Sequence, residues 1–205
     1  MAERVGDRSV FAIEFEVSDS QARTWNECWG RLWLWVGGSA VGNLNEIEMI
    51  QTGLDSLRET ACDERTQASK ALECLSGDDA LSVVMEARYG EEERSVAHSL
   101  SVSDESLASV EVLPRLTGPF FDSWQAILLE CGPFERLLYR REGGETLEAV
   151  WPTGSFANVV SEANAAFERL ARAKLKQQGK NQARSPVSDL GTWESMDPNL
   201  TEHHE

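Results

Sequence analysis

The stretch TWNECWGRLWLWVGG, Thr24 to Gly38, decides how this chain of 205 residues is read. It holds Trp25, Trp29, Trp33 and Trp35, more than half of the seven tryptophans. Within it Leu32, Leu34 and Val36 share one parity, and Trp29, Arg31, Trp33 and Trp35 share the other. Side chains alternate across a strand, so two apolar parities predict a central strand covered on both sides. On that reading Trp33 and Trp35 are core. Trp25 and Trp29, where a connection meets the strand, are expected to be partly exposed.

Working outward, SVFAIEFEV places Phe11, Ile13, Phe15 and Val17 on one face and Glu14 and Glu16 on the other, the alternation of a half-buried strand. Downstream, Gly37–Gly38 predicts a hairpin turn and AVGN a returning strand. Asn45 has the position of a helix cap, with Glu46 and Glu48 behind it, and a helix is expected over Glu46–Ala61. A second, shorter helix fits Ala68 to Leu75. Residues 78–113 leave open a short helix or strand at Ala80–Tyr89, an acidic turn, and then one or two strands. FDSWQAILLE, ERLLYRRE and TLEAVW are three apolar runs broken by CGPF and GG, the pattern of an antiparallel meander. Thr153 or Ser155 is expected to cap a closing helix, Phe156–Leu175.

The elements together predict a single α+β domain over residues 8–178. Its sheet would be mainly antiparallel, of about six strands, packed by two or three helices. A mobile polar tail is expected over residues 179–205. The N-terminus MAERVGDRSV has no apolar signal-peptide stretch, and no run approaches the ~20 apolar residues of a membrane helix. The four cysteines, Cys28, Cys62, Cys74 and Cys131, form no Cys-x-x-Cys pair. These features predict a cytoplasmic protein with reduced thiols.

Charge narrows the function. The chain carries 35 acids against 19 bases, a net −16. Nucleic acids and anionic membranes are bound through Lys and Arg, so both are poor partners. A basic protein is a good one. The negative charge is uneven: residues 1–135 sum to −15, residues 136–184 to +4 and the rest to −5.

Reactive constellations are missing from the sequence. His98 is the only histidine outside the HH pair near the C-terminus, which leaves no zinc spacing and a single possible base for a nucleophile. GGSAVG lacks the Lys-Ser/Thr of a phosphate loop. No catalytic residue, cofactor or metal is therefore expected. Glu14 and Glu16, side by side on one strand face, leave open a carboxylate-dependent hydrolase using either with a second acid. An acidic protein-binding adaptor is the other alternative.

FAIEFEV, WGRLWLWVGGSAVGN and the helix NEIEMIQTGLDSL, with the later FDSWQAILLE, ERLLYRRE and TLEAVWPTGSFANVV, resemble the immunity protein 42 family of bacterial polymorphic toxin systems. The resemblance covers roughly residues 10–50 and 118–170; the middle and the tail are longer and more acidic than the pattern. It implies a cytosolic, non-enzymatic antidote that binds a cognate toxin C-terminal domain, probing no chemistry of its own, and blocks it by occlusion. The acidity of this chain fits a basic toxin. The family pattern carries no contact residues, so the expected interface comes from the residues themselves: Glu14, Glu16, Trp25, Trp29, Asp78, Asp79, Glu91, Glu92 and Glu93.

Overall fold

The computed structural model describes residues 2–18, 24, 27–90, 102–113 and 120–184, with side chains described up to residue 177. Trp25, Glu91, Glu92, Glu93, His98 and the tail beyond Arg184 lie outside the described residues.

The fold is α+β, with two antiparallel sheets rather than the one sheet of about six strands that the sequence predicts. The first sheet orders β1 (Ala2–Asp7), β2 (Phe11–Val17), β3 (Trp29–Val36) and β4 (Ser39–Val41). The short β5 (Glu48–Met49) pairs with the start of β3, on the edge that β4 occupies at its end. The second sheet is the expected meander, β6 (Trp124–Cys131), β7 (Phe134–Arg141) and β8 (Leu147–Pro152). The β1 strand was not legible in MAERVGD, where no apolar alternation stands out. It forms because its backbone pairs with β2 from Ala2↔Glu16 to Asp7↔Phe11.

Five helices occur among the described residues: α1 (Ile50–Cys62), α2 (Thr66–Leu72), α3 (Gly77–Tyr89), α4 (Asp104–Ala108) and α5 (Ser155–Arg184). Two of the expected helix starts are corrected. Helix α1 begins at Ile50, and its cap position, Met49, has no side-chain cap bond. Residues 48 and 49 pair instead with Gly30 and Trp29, so tertiary strand pairing takes the segment that local capping signals claimed. Asn45 caps nothing; its backbone N–H donates to Asn43 Oδ1 at 3.2 Å in a local turn. At α5 the closing helix is capped neither by Thr153 nor by Ser155. Glu135, on β7, accepts from the backbone N–H groups of Gly154 (2.8 Å) and Phe156 (3.1 Å). A helix N-terminus leaves unpaired donors and a partial positive charge, and a carboxylate answers both. Helix α5 also continues to Arg184, past the expected end. Ala80–Tyr89 resolves as helix, in α3, capped by the Ser76 hydroxyl, which accepts from Asp79 N–H at 3.2 Å.

The core lies in two parts. The larger joins Phe11, Ile13, Phe15 and Val17 of β2 and Leu32, Leu34 and Val36 of β3 to α1, α5 and one face of the second sheet. Phe11 stacks on Trp151 with ring centroids 5.1 Å apart, and Phe15 meets Phe167 edge-on at 5.8 Å. The smaller part packs Ile127, Leu129 and Leu138, on the opposite parity of β6 and β7, against α2, α3 and α4. Burying each such large apolar side chain contributes about 1.5–3 kcal/mol. Gly30 permits the tight join of β2, β3 and α1: a Cβ there would lie 2.0 Å from Glu16 O and 2.6 Å from Ile50 Cδ1. Gly37 and Gly38 have φ of 56° and 84°, the left-handed pair that a two-residue hairpin turn requires.

Candidate partner interface

The first sheet packs one face into the larger core, and no described helix packs over its other, open face. Register puts Glu14 opposite Trp33, Glu16 opposite Arg31 and Ala12 opposite Trp35, all on the open face. This corrects the expectation that Trp33 and Trp35 are core. Both are half-buried, and the larger core draws from β3 on Leu32, Leu34 and Val36. The apolar parity that suggested a second covering layer is instead an aromatic surface.

A polar network organises this surface. Glu14 is only 6% exposed. Its Oε2 accepts from Arg8 Nε at 3.0 Å, from Arg8 Nη2, and from Trp35 Nε1 at 2.9 Å. The Arg8 guanidinium lies over the Trp35 ring, 4.2 Å from its centroid, a geometry in which cation and ring face attract. Glu14 therefore orients Arg8 and Trp35 rather than presenting its charge outward. Glu16 is exposed at about a third and takes a hydrogen bond from Arg31 Nη1 at 3.1 Å. Trp33 Nε1 and Arg31 Nε are buried atoms with no hydrogen-bond partner. A buried donor left unpaired costs about 1–3 kcal/mol, so this face carries some of the fold's local penalty.

Trp29 is 44% exposed at the start of β3 and stands opposite Met49, which is 39% exposed. Ile47, 47% exposed, lines a cavity of about 260 Å³ with Glu16, Arg31 and Lys174. Lys174, on α5, reaches this corner and donates to Val17 O at 2.6 Å. Trp29, Ile47, Met49 and Arg31 thus form a continuous apolar and cationic corner. Of these, the sequence reading had found only Trp29. The other residues were hidden because Ile47 and Met49 fell inside the expected α1.

Of the acidic groups expected to join Glu14 and Glu16, the described ones, Asp78 and Asp79, are elsewhere. Asp78 and Asp79 are exposed in the first turn of α3, whose main packing partners are α4, β6 and β7 of the second sheet. Asp79 Oδ2 accepts from the Ser76 hydroxyl at 2.6 Å, so it also serves the helix start. Glu14 and Glu16 lie on the first sheet, and Asp78 and Asp79 on the helical layer of the second. The structure does not gather them into one described cluster.

Two further buried charges are structural. Glu135 receives Trp151 Nε1 at 2.6 Å besides the α5 backbone. Arg65 is 4% exposed, and burial pushes its guanidinium below the usual range, opposed by the nearby charges of Asp63, Glu130 and Glu135. A second depression of about 580 Å³ is lined by Asp63, Glu64 and Glu105 with small polar neighbours. Among the described residues, no three of His, Cys, Asp and Glu are grouped so as to hold a metal ion. No helix among them is long and apolar enough to cross a membrane.

An α+β fold with two antiparallel sheets has a solved counterpart. The fold is similar to the crystal structure of CdiI from Burkholderia dolosa AUO158, with a TM-score of 0.61 and 20% identity, over 80% of this chain and 99% of that one. At this identity the likeness concerns the fold alone. The family model described as immunity protein 42 matches residues 1–166. The chain belongs to the immunity protein 42 family. The matched range includes the middle segment, which the sequence resemblance left aside. A search of curated proteins finds no match.

Proposed function

We propose that this protein is an immunity protein that binds a cognate toxin domain and neutralises it by occlusion, without chemistry of its own. The observation that carries this reading is the family match over residues 1–166. The net charge of −16 supports a basic toxin as partner, since complementary fields speed encounter and align the two surfaces. The protein acts in the cytoplasm, where its four free thiols stay reduced. The binding unit is the domain over residues 8–178, together with the β1 strand paired to it, and α5 carries the chain on to Arg184 before a stretch of polar composition.

Co-expression tests the proposal. The toxin-like C-terminal domain encoded by the adjacent gene kills cells alone, and this protein restores growth. Cells that die equally with and without it would overturn the reading. A stopped-flow measurement then tests the charge argument: the association rate should fall steeply as salt shortens the screening length from about 30 Å at 0.01 M to about 8 Å at 0.15 M.

A further inference from the structure

We infer that the toxin domain docks on the open face of the first sheet, centred on the corner formed by Trp29, Ile47, Met49 and Arg31. This rests on the reading above that the partner is a toxin domain. It differs from the expected interface, which joined Trp25 and Trp29 to acidic groups, in placing arginine at the centre. Among the described residues, the charges of β1, β2, β3 and the β1–β2 turn that share this face are Arg4, Arg8 and Arg31 against Glu14 and Glu16, one more base than acid in a chain of net −16. Lys174 adds a further cation at its edge. An apolar, arginine-bearing centre inside an acidic molecule has the anatomy of a binding hot spot, in which Trp and Arg dominate.

That anatomy specifies the occupant. The toxin surface is basic enough to be gathered by the net −16 of this chain. At its centre it presents an apolar side chain, which packs on Trp29 and Met49, beside a carboxylate that reaches Arg31. The arginine network prepares this site. Arg31 is already held by Glu16 at the corner, and Arg8 over Trp35 by Glu14 at the far end of the same face, so these side chains lose little freedom on binding. The long-range field and the contact patch therefore have opposite signs and separate tasks: the first gathers the toxin, the second holds it.

The test uses the full chain and the purified toxin-like domain from the adjacent gene. Trp29→Ala and Met49→Asp should each weaken binding about 30-fold or more, the range of hot-spot residues, and abolish rescue in co-expression. Asp78→Lys, on α3, should leave the dissociation rate within about twofold and slow association only. Each variant is compared with wild type by thermal melting; if Trp29→Ala unfolds, Met49→Asp and Ile47→Asp carry the test, because both residues are exposed. If wild type protects and all these variants protect equally, the face is wrong and the toxin reading survives. If wild type does not protect, the toxin reading itself falls and takes the docking assignment with it. If wild type alone forms a dimer that Met49→Asp dissociates without changing toxin affinity, the face joins two copies of this chain and the assignment is overturned.

Discussion

The two sheets differ in how they spend their apolar residues. The second is covered on both sides: Ala126, Leu128, Leu137 and Tyr139 enter the larger core, and Ile127, Leu129 and Leu138 the smaller. The first buries Phe11, Ile13, Phe15, Leu32, Leu34 and Val36 on one side and leaves Trp29, Trp33 and Trp35 on the other. Both sheets contain strands that are apolar at every second position and more, so composition alone makes them look alike. What separates them is the presence of α2, α3 and α4 over one and no described helix packed over the open face of the other. Aromatic residues kept on a sheet face that no described helix covers need a reason beyond folding, and a partner surface supplies one.

The largest effect should come from the buried side of the first sheet. Phe15→Ala is expected to lower stability by about 3–5 kcal/mol in urea unfolding, since its cavity cannot collapse against Phe167. A loss no greater than that of a surface substitution would mean that this face is not the core. Next comes the buried carboxylate of the second sheet. Glu135→Ala removes the acceptor of two backbone N–H groups and of Trp151 Nε1, and should cost about 2–4 kcal/mol, at 1–3 kcal/mol for each donor left unpaired and partial relief by water. Amide exchange at Gly154 and Phe156 should quicken at the same time; unchanged exchange would refute the capping role.

A smaller effect probes the join between the sheets. The Tyr139 hydroxyl donates to Val36 O at 3.3 Å, and burial raises its pKa above the ordinary tyrosine value. Tyr139→Phe should cost about 1 kcal/mol at neutral pH. Because the raised value belongs to the folded state, the neutral phenol favours folding below about pH 10, and that contribution is lost as pH rises through the folded value. Stability of the wild type should thus fall at alkaline pH, and Tyr139→Phe should lessen the fall. Cys28 and Cys131, both raised by burial, act in the same direction from a lower starting value, so the comparison is made against a variant in which they are replaced by alanine. The smallest stability effect falls on the open face. Trp29→Ala should change stability by no more than about 0.5–1 kcal/mol while removing toxin binding, the dissociation of stability from function that distinguishes this face from the second sheet.

Much of this contrast was hidden in the chain. Strands β2, β3, β6 and β7 were legible because alternation and turn glycines are local signals. The α5 stripe was legible for the same reason. The cap of α5 was not, because Glu135 comes from a strand that precedes the helix by some twenty residues in sequence and meets it only after folding. The start of α1 was misread because Asn45, Glu46 and Glu48 satisfy a capping pattern, while the pairing of Met49 with Trp29 depends on a strand elsewhere. In the site, Glu14 and Trp29 were found as an acid and an exposed aromatic. The role of Glu14 changed, because only the fold brings Arg8 and Trp35 to one of its oxygens.

The sequence by itself determined the α+β class, the family resemblance at its two ends and the net acidity, since periodicity and charge are properties of neighbouring residues and of sums. The tertiary structure decided which side of the tryptophan strand meets solvent. Parity assigns side chains to two faces but carries no record of which face another element covers, and that depends on where distant helices pack.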